Sequence, residues 1–220
     1  MTELAINHEQ SRYPSIGDDP NVLADIYQPQ VNIAVWQRDL SAELACGIND
    51  FIANHPKASA SLAMTPDNAI EVLSKDFETK NMGAELRQDI AQLVDMFCCL
   101  FEQQRAGVRL TVLDRAMCPR FHVDRIPCRL VTTYSGIATQ WLNHDDVNRD
   151  KLGAKSQGLP DEESGLISAD TTIDQLTTGD VALLKGEHWS EEEGFGLVHR
   201  SPAVAAGEKR LLLTIDFIDD

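Results

Sequence analysis

The stretch Cys118-Pro119-Arg120-Phe121-His122-Val123-Asp124 places a histidine and a carboxylate two residues apart, and Val198-His199-Arg200-Ser201-Pro202 supplies a second histidine far downstream. On an extended segment, side chains alternate faces with a period of two, so His122 and Asp124 point to the same side and can grip one ion together. If His199 closes the third position from another strand, two imidazoles and one carboxylate occupy one face of a metal and leave the opposite face open. This donor set suits iron, manganese, nickel or zinc alike, so the residues alone do not choose among them.

Two other sets of residues compete for the same role. His144-Asp145-Asp146 also reads His-x-Asp, but it lies in a polar stretch without strand-forming flanks, whereas preorganised ligands belong on rigid elements. Cys118 and Cys128 flank the first motif. A thiolate added to the triad would turn an open site into a closed, structural zinc site.

Around the motif, the period changes. Leu86, Ile90, Leu93, Val94, Phe97, Leu100 and Phe101 form one apolar stripe, which predicts a helix over Ala84–Arg105 long enough to support a sheet. A second helical stretch follows Asp39 and Ser41 and ends near Asn54-His55-Pro56, and Thr65-Pro66-Asp67 starts another. Val31–Trp36 alternates as a strand, whereas residues 1–30, with Pro14, Gly17, Pro20 and Pro29, read as an irregular arm with a short helix at Val22–Tyr27. From Gly107 onward short strands dominate: Val108–Leu113, then about 128–134, 138–142, 180–184, 196–199 and 210–217. Short strands at that density, without helices between them, predict an antiparallel jelly roll.

The expected fold class is therefore α+β, a double-stranded β-helix of the cupin-like kind with N-terminal supporting helices. Residues 1–106 form the arm and helical support, packed on the barrel, and residues 107–220 form the metal-binding core. Within the core, Asn143–Thr178 is a polar insertion that reads either as a mobile cover over the mouth of the site or as surface decoration.

The run His122-x-Asp124, Arg129 to Tyr134, Gly136 to Trp141, Thr178-Gly179-Asp180-Val181 and His199 to Phe217 resembles the 2-oxoglutarate/Fe(II)-dependent oxygenases, prolyl-hydroxylase-like branch. The wording Cys-Pro-Arg-Phe-His-Val-Asp with His-Arg-Ser-Pro further resembles an uncharacterised bacterial family within or beside that superfamily. The resemblance implies Fe(II) held by His122, Asp124 and His199, with these three as the catalytic centre. It also implies 2-oxoglutarate as co-substrate, oxidatively decarboxylated as a bound substrate is hydroxylated.

In that pattern a basic residue near the chain end takes the far carboxylate of the co-substrate. Arg210 and Lys209 point to opposite sides of the last strand. Lys209 shares its side with Leu211, Leu213, Ile215 and Phe217, so if that more apolar side meets the supporting helices, Arg210 looks into the barrel. Its planar fork matches a carboxylate through two parallel hydrogen bonds, which a lysine cannot do. The oxygenases often carry a serine two residues later, where this chain has Leu212; Thr214, Thr132 or Tyr134 are the candidates for the missing hydroxyl. His188 and Trp189 either line substrate or pack as a solvated histidine beside a buried ring, and Trp141 is expected in the core.

Bulk properties narrow the partners. A net charge of -16 over 220 residues opposes binding to phosphate backbones, which requires clustered Lys and Arg, so nucleic acid is not expected. No apolar run approaches the roughly 20 residues of a membrane span. The first residues lack a basic and apolar leader, and five cysteines make an odd count with no disulfide framework, so a cytoplasmic location is expected. The implied substrate is a small molecule or a protein side chain, and nothing in the residues identifies it or the oligomeric state. The rival reading is a non-catalytic jelly roll for zinc or iron handling or sensing; a third is an interaction module in which the motif is vestigial.

Overall fold

A computed structural model describes residues 11–77, 82–191 and 194–218. In chain order they form β1 (Tyr13–Gly17), β2 (Val31–Trp36), α1 (Ala42–Asn54), β3 (Ser59–Met64), α2 (Ala69–Asp76), α3 (Ala84–Leu100), β4 (Ala106–Leu113) and β5 (Cys128–Ser135). There follow β6 (Gln140–Leu142), β7 (Ile173–Gln175), β8 (Val181–Lys185), β9 (His199–Arg200) and β10 (Arg210–Asp216), with short 3-10 turns between them. The fold is mixed α+β around one large sheet.

Local chemistry accounts for the helix ends. Ser41 caps α1 by accepting from the Leu44 N–H, and Thr65 with Asn68 forms a reciprocal capping box ahead of α2. The apolar stripe of α3 is buried through Leu86, Ile90, Leu93, Val94 and Phe97. The helix stops at Leu100, five residues short of the expected end. Glu102 takes a left-handed φ of 53°, and the Gln103 N–H turns back onto the Cys98 carbonyl at 2.8 Å.

The large sheet runs β1-β2-β8-β5-β10-β4-β3, and a small sheet runs β7-β6-β9. From β5 to β10 the chain passes back and forth between them. Period-two alternation sorts each central strand into two faces. Leu211, Leu213 and Ile215 of β10, with Cys128, Leu130 and Tyr134 of β5, join the core shared with α1 to α3. Val131 and Leu212 look the other way and meet Trp141, Leu176 and Leu197 from the small-sheet side.

Three strands escaped the sequence pattern: β7 within the insertion, and β1 and β3 in the large sheet. β1 lies parallel to β2 at the sheet edge, with Tyr13 and Ile16 about half exposed, so backbone pairing rather than an apolar face places it. β3, Ser-Ala-Ser-Leu-Ala-Met, is an edge strand of small residues that gives no alternating signal. The N-terminal half therefore supplies β1, β2 and β3 to the same sheet as the C-terminal strands, besides its helices. Residues 1–10 of the arm lie outside the described residues.

The 143–178 insertion, expected either as a mobile cover over the mouth of the site or as surface decoration, packs against the rest of the chain. Leu166, Val147, Leu152, Ile167 and Ile173 pack with Phe121, Leu142 and Val198 into a third core. Those last three residues alternate with His122, Trp141 and His199, so the insertion covers the outer face of the small sheet rather than the mouth of the site.

Helix α3 is tied to the sheet by charge as well as by packing. Asp89 takes a fork from Arg38 at 2.6 and 2.9 Å and the Tyr134 hydroxyl at 2.5 Å, while Arg38 Nε reaches the Gly179 carbonyl at 3.0 Å. Removing one partner strands the others in a water-poor place. Asp89→Ala should lower the unfolding free energy by about 3 kcal/mol and Tyr134→Phe by about 1 kcal/mol, both readable from urea denaturation midpoints.

Candidate metal centre

Segment 118–122 lies along 199–201 as an added rung on the edge of the small sheet. The amides and carbonyls of His122 and His199 exchange two hydrogen bonds at 3.0 Å, and the Ser201 N–H donates to the Cys118 carbonyl at 2.9 Å. A buried acid from the insertion fixes the outer side of this segment: Asp161 accepts from the Phe121 N–H at 2.8 Å. With Phe121 locked outward, His122 turns inward.

The His122, Asp124 and His199 side chains converge, their potential ligand atoms all within 4.8 Å of one another. His122 Nε2 lies 3.5 Å from Asp124 Oδ1 and His199 Nε2 lies 3.5 Å from Asp124 Oδ2. Each ring has its Nδ1 against a carbonyl, Arg120 O at 2.9 Å for His122 and Leu197 O at 3.2 Å for His199. That partner holds a proton on Nδ1, so each imidazole, once it has lost its Nε2 proton, turns the Nε2 lone pair to the centre, the tautomer a metal needs; while protonated there, Nε2 faces Asp124 as a donor. The donor set therefore fits a divalent ion with three protein ligands.

The loop after Asp124 is held by a missing side chain. A Cβ at Gly186 would stand 2.0 Å from the Ile126 carbonyl oxygen and 2.7 Å from that of Asp124, so only glycine lets the two backbones meet there. The contact is cemented by the Gly186 N–H on the Pro127 carbonyl and the Glu187 N–H on the Asp124 carbonyl, both 2.8 Å.

Arg129 is a site residue to which the sequence reading gave no role. Its Nη1 donates to Asp124 Oδ2 at 2.7 Å, while Nε and Nη2 fork onto Asp216 at 2.7 and 3.0 Å. The signal was available in parity, since Arg129 shares the inward side of β5 with Val131 and Thr133. Burial alone would raise the Asp124 pKa, but hydrogen bonds from His122 and His199 and the Arg129 charge hold it well below the usual carboxylate range. For His122 burial works downward, and the bonds to Asp124 and the Arg120 carbonyl overcome it, so its pKa is raised above 6.5.

Arg210 enters the same cleft and is 1% exposed. Its Nη1 donates to Ser201 Oγ at 2.7 Å, and Nη2 to Thr133 Oγ1 at 3.2 Å and Thr139 Oγ1 at 2.9 Å. Its Nε has no partner. Among the described residues no carboxylate answers this guanidinium, and burial pushes its pKa down to about 10. Lys209, on the other side of the strand, meets Asp114 at 3.3 Å. Hydroxyls from three other segments thus surround Arg210 although Leu212 replaces the serine.

The remaining candidates divide by face. Thr214 looks into the cleft and its buried hydroxyl has no partner. Tyr134 does not reach the site: an even position on β5, it points into the helical core and donates to Asp89. Thr132 shares that side. Cys118 lines the cleft but is not among the converging ligand atoms. His144 sits on a 3-10 turn beside Arg149 and joins no ligand cluster among the described residues. Trp189 packs over Lys185 Nζ at 4.9 Å.

Replacing His122, Asp124 or His199 by Ala should each abolish stoichiometric Zn(II) or Fe(II) binding without unfolding the chain, as read by metal analysis and circular dichroism. Because a proton on His122 competes with the metal and that pKa lies above 6.5, affinity should rise from about pH 6 to about pH 8. Gly186→Ala should weaken metal binding by roughly tenfold or more with every ligand still present, because it displaces the Asp124 loop.

Comparison with known proteins agrees with this architecture. The structure resembles 2-oxoglutarate/Fe(II)-dependent oxygenases. The dioxygenase for auxin oxidation from rice superposes with a TM-score of 0.52 at 8% identity, covering 94% of this chain and 83% of that one. Dioxygenase for auxin oxidation 1 from Arabidopsis thaliana, solved as its 2-oxoglutarate binary complex, gives 0.51 at 8% identity over 95% and 93%. At such identity the likeness establishes the fold. No curated protein matches the sequence. The family model described as protein of unknown function DUF1826 matches residues 17–216, and the chain belongs to that family.

Proposed function

We propose that this protein is an Fe(II)- and 2-oxoglutarate-dependent oxygenase built on a jelly roll, with a small-molecule substrate. The observation that carries this reading is Arg210: a buried guanidinium without a carboxylate partner among the described residues, on the wall of the cleft that also holds the triad. An uncompensated buried charge is expensive to keep. A dicarboxylate co-substrate would supply the missing anion, with one end on Arg210 and the other towards the triad.

In this reading His122 Nε2, His199 Nε2 and an Asp124 oxygen hold the iron, which supplies the activation of dioxygen. Arg129 keeps the other Asp124 oxygen occupied. Ser201, Thr133 and Thr139 aim the Arg210 fork at the far carboxylate of the co-substrate. Val131, Leu184 and Leu212 line the cleft and exclude water between its two ends. The three-residue ligand set leaves positions free on the ion, which a closed zinc site would not. The likeness to the rice and Arabidopsis dioxygenases supports the reading at the level of the fold.

Calorimetry with 2-oxoglutarate on protein loaded with Zn(II) as a redox-inert ion tests it. Arg210→Ala should weaken binding by roughly two orders of magnitude, at about 1.4 kcal/mol per tenfold, with metal affinity nearly unchanged. Arg210→Lys should restore only part, and Lys209→Ala should change little. The reading fails if the parent does not bind 2-oxoglutarate, or if Arg210→Ala binds it as the parent does.

A further inference from the structure

Beside the triad cleft lies a second, smaller hollow lined by Arg109, Thr111, Met117, Arg129, Leu212 and Thr214. The two are adjacent, with Met117, Arg129, Leu212 and Thr214 lining both. Their cations differ in what they already hold. The charge of Arg129 is answered by Asp124 and Asp216, whereas exposed Arg109 has no acidic partner among the described residues, in a chain of net charge -16. Arg109 is directly opposite Thr214 in the β4–β10 pairing, close enough for the two side chains to meet one ligand.

The Thr214 hydroxyl is the second observation. The residue is 9% exposed, its Oγ1 is buried, and it has no hydrogen-bond partner. Leaving such a group unsatisfied is costly unless something arrives to use it. Next to it Leu212 offers an apolar wall, and Met117, 41% exposed, offers a pliable apolar lip.

We propose that this hollow is the substrate subsite of the oxygenase, and that it takes the anionic head, carboxylate or phosphate, of a small molecule with an apolar body. The head sits between Arg109 and the Thr214 hydroxyl, both able to donate. The body lies against Leu212 and Met117 and runs towards the triad. The substrate role rests on the oxygenase reading; the anion site does not, because it uses Arg109 and not Arg210.

The test is methyl NMR on the full, Zn(II)-loaded chain labelled at its five methionines, with the Met117 signal assigned through Met117→Leu. Hexanoate, hexyl phosphate, hexylamine and hexanol are the probes. One or both anions should shift the Met117 methyl saturably, the stronger naming the head, while the amine and alcohol bind roughly tenfold more weakly or not at all. Arg109→Gln should weaken anion binding by roughly tenfold, Arg109→Glu should abolish it, and Lys209→Ala, on the other side of the last strand, should leave it unchanged. With Co(II) in the triad, the tail methyl of a bound anion should relax faster than its head methylene.

Equal shifts from hexylamine, or parental binding in Arg109→Gln, overturn the site. A tail untouched by Co(II) overturns its role as a substrate subsite. If 2-oxoglutarate fails to bind while Arg109-dependent anion binding persists, the oxygenase reading falls and the anion site stands.

Discussion

A carboxylate that faces two imidazoles needs a fixed positive charge behind it, and Arg129 supplies that charge while being anchored itself. Its fork on Asp216 and its third donor on Asp124 bind the last strand, the central strand and the ligand loop into one unit. The Asp124 oxygens are thereby oriented by protein contacts, which is how outer partners set the geometry of a metal ligand. Asp216 lies at the end of β10 and Arg129 at the start of β5, where the register pairs them directly. The sheet must therefore form in this register for the triad to assemble.

The inner surface of the molecule inverts its overall electrostatics. The chain is strongly acidic, yet its cleft and the adjoining hollow present Arg210, Arg129 and Arg109. The three are in different states: Arg129 neutralised by two carboxylates, Arg210 buried among hydroxyls, Arg109 exposed. Desolvation makes these differences count, since a charge in a water-poor cleft interacts far more strongly with an incoming anion than one on the surface.

Support for this arrangement comes from both sides of the sheet. On one side α3 is held by its apolar stripe and by the Arg38–Asp89–Tyr134 node. On the other, the 143–178 insertion packs on the outside of the small sheet and sends Asp161 to the Phe121 amide and Arg120. The insertion thus acts on the site from behind, fixing which way the His122 segment faces.

Periodicity and spacing were enough to name much of this from the chain alone. The inward parity of Arg210 against Lys209, the His122-x-Asp124 pair, the stripe of α3 and strands β2, β4, β5, β8 and β10 are properties of consecutive residues, which a sequence displays directly. The edge strands β1 and β3 were not legible, because they are held by backbone pairing rather than by an alternating apolar face. Tyr134 was misplaced because the parity of β5 was not carried through, although Tyr134 and Thr133 must face opposite ways. Only the tertiary structure decided that Arg129 serves Asp124 and Asp216 together, that Ser201, Thr133 and Thr139 surround Arg210 in place of a serine at 212, and that the insertion turns outward. Each of these joins residues distant in the chain, and such pairs are fixed by strand order and register, which local pattern does not encode.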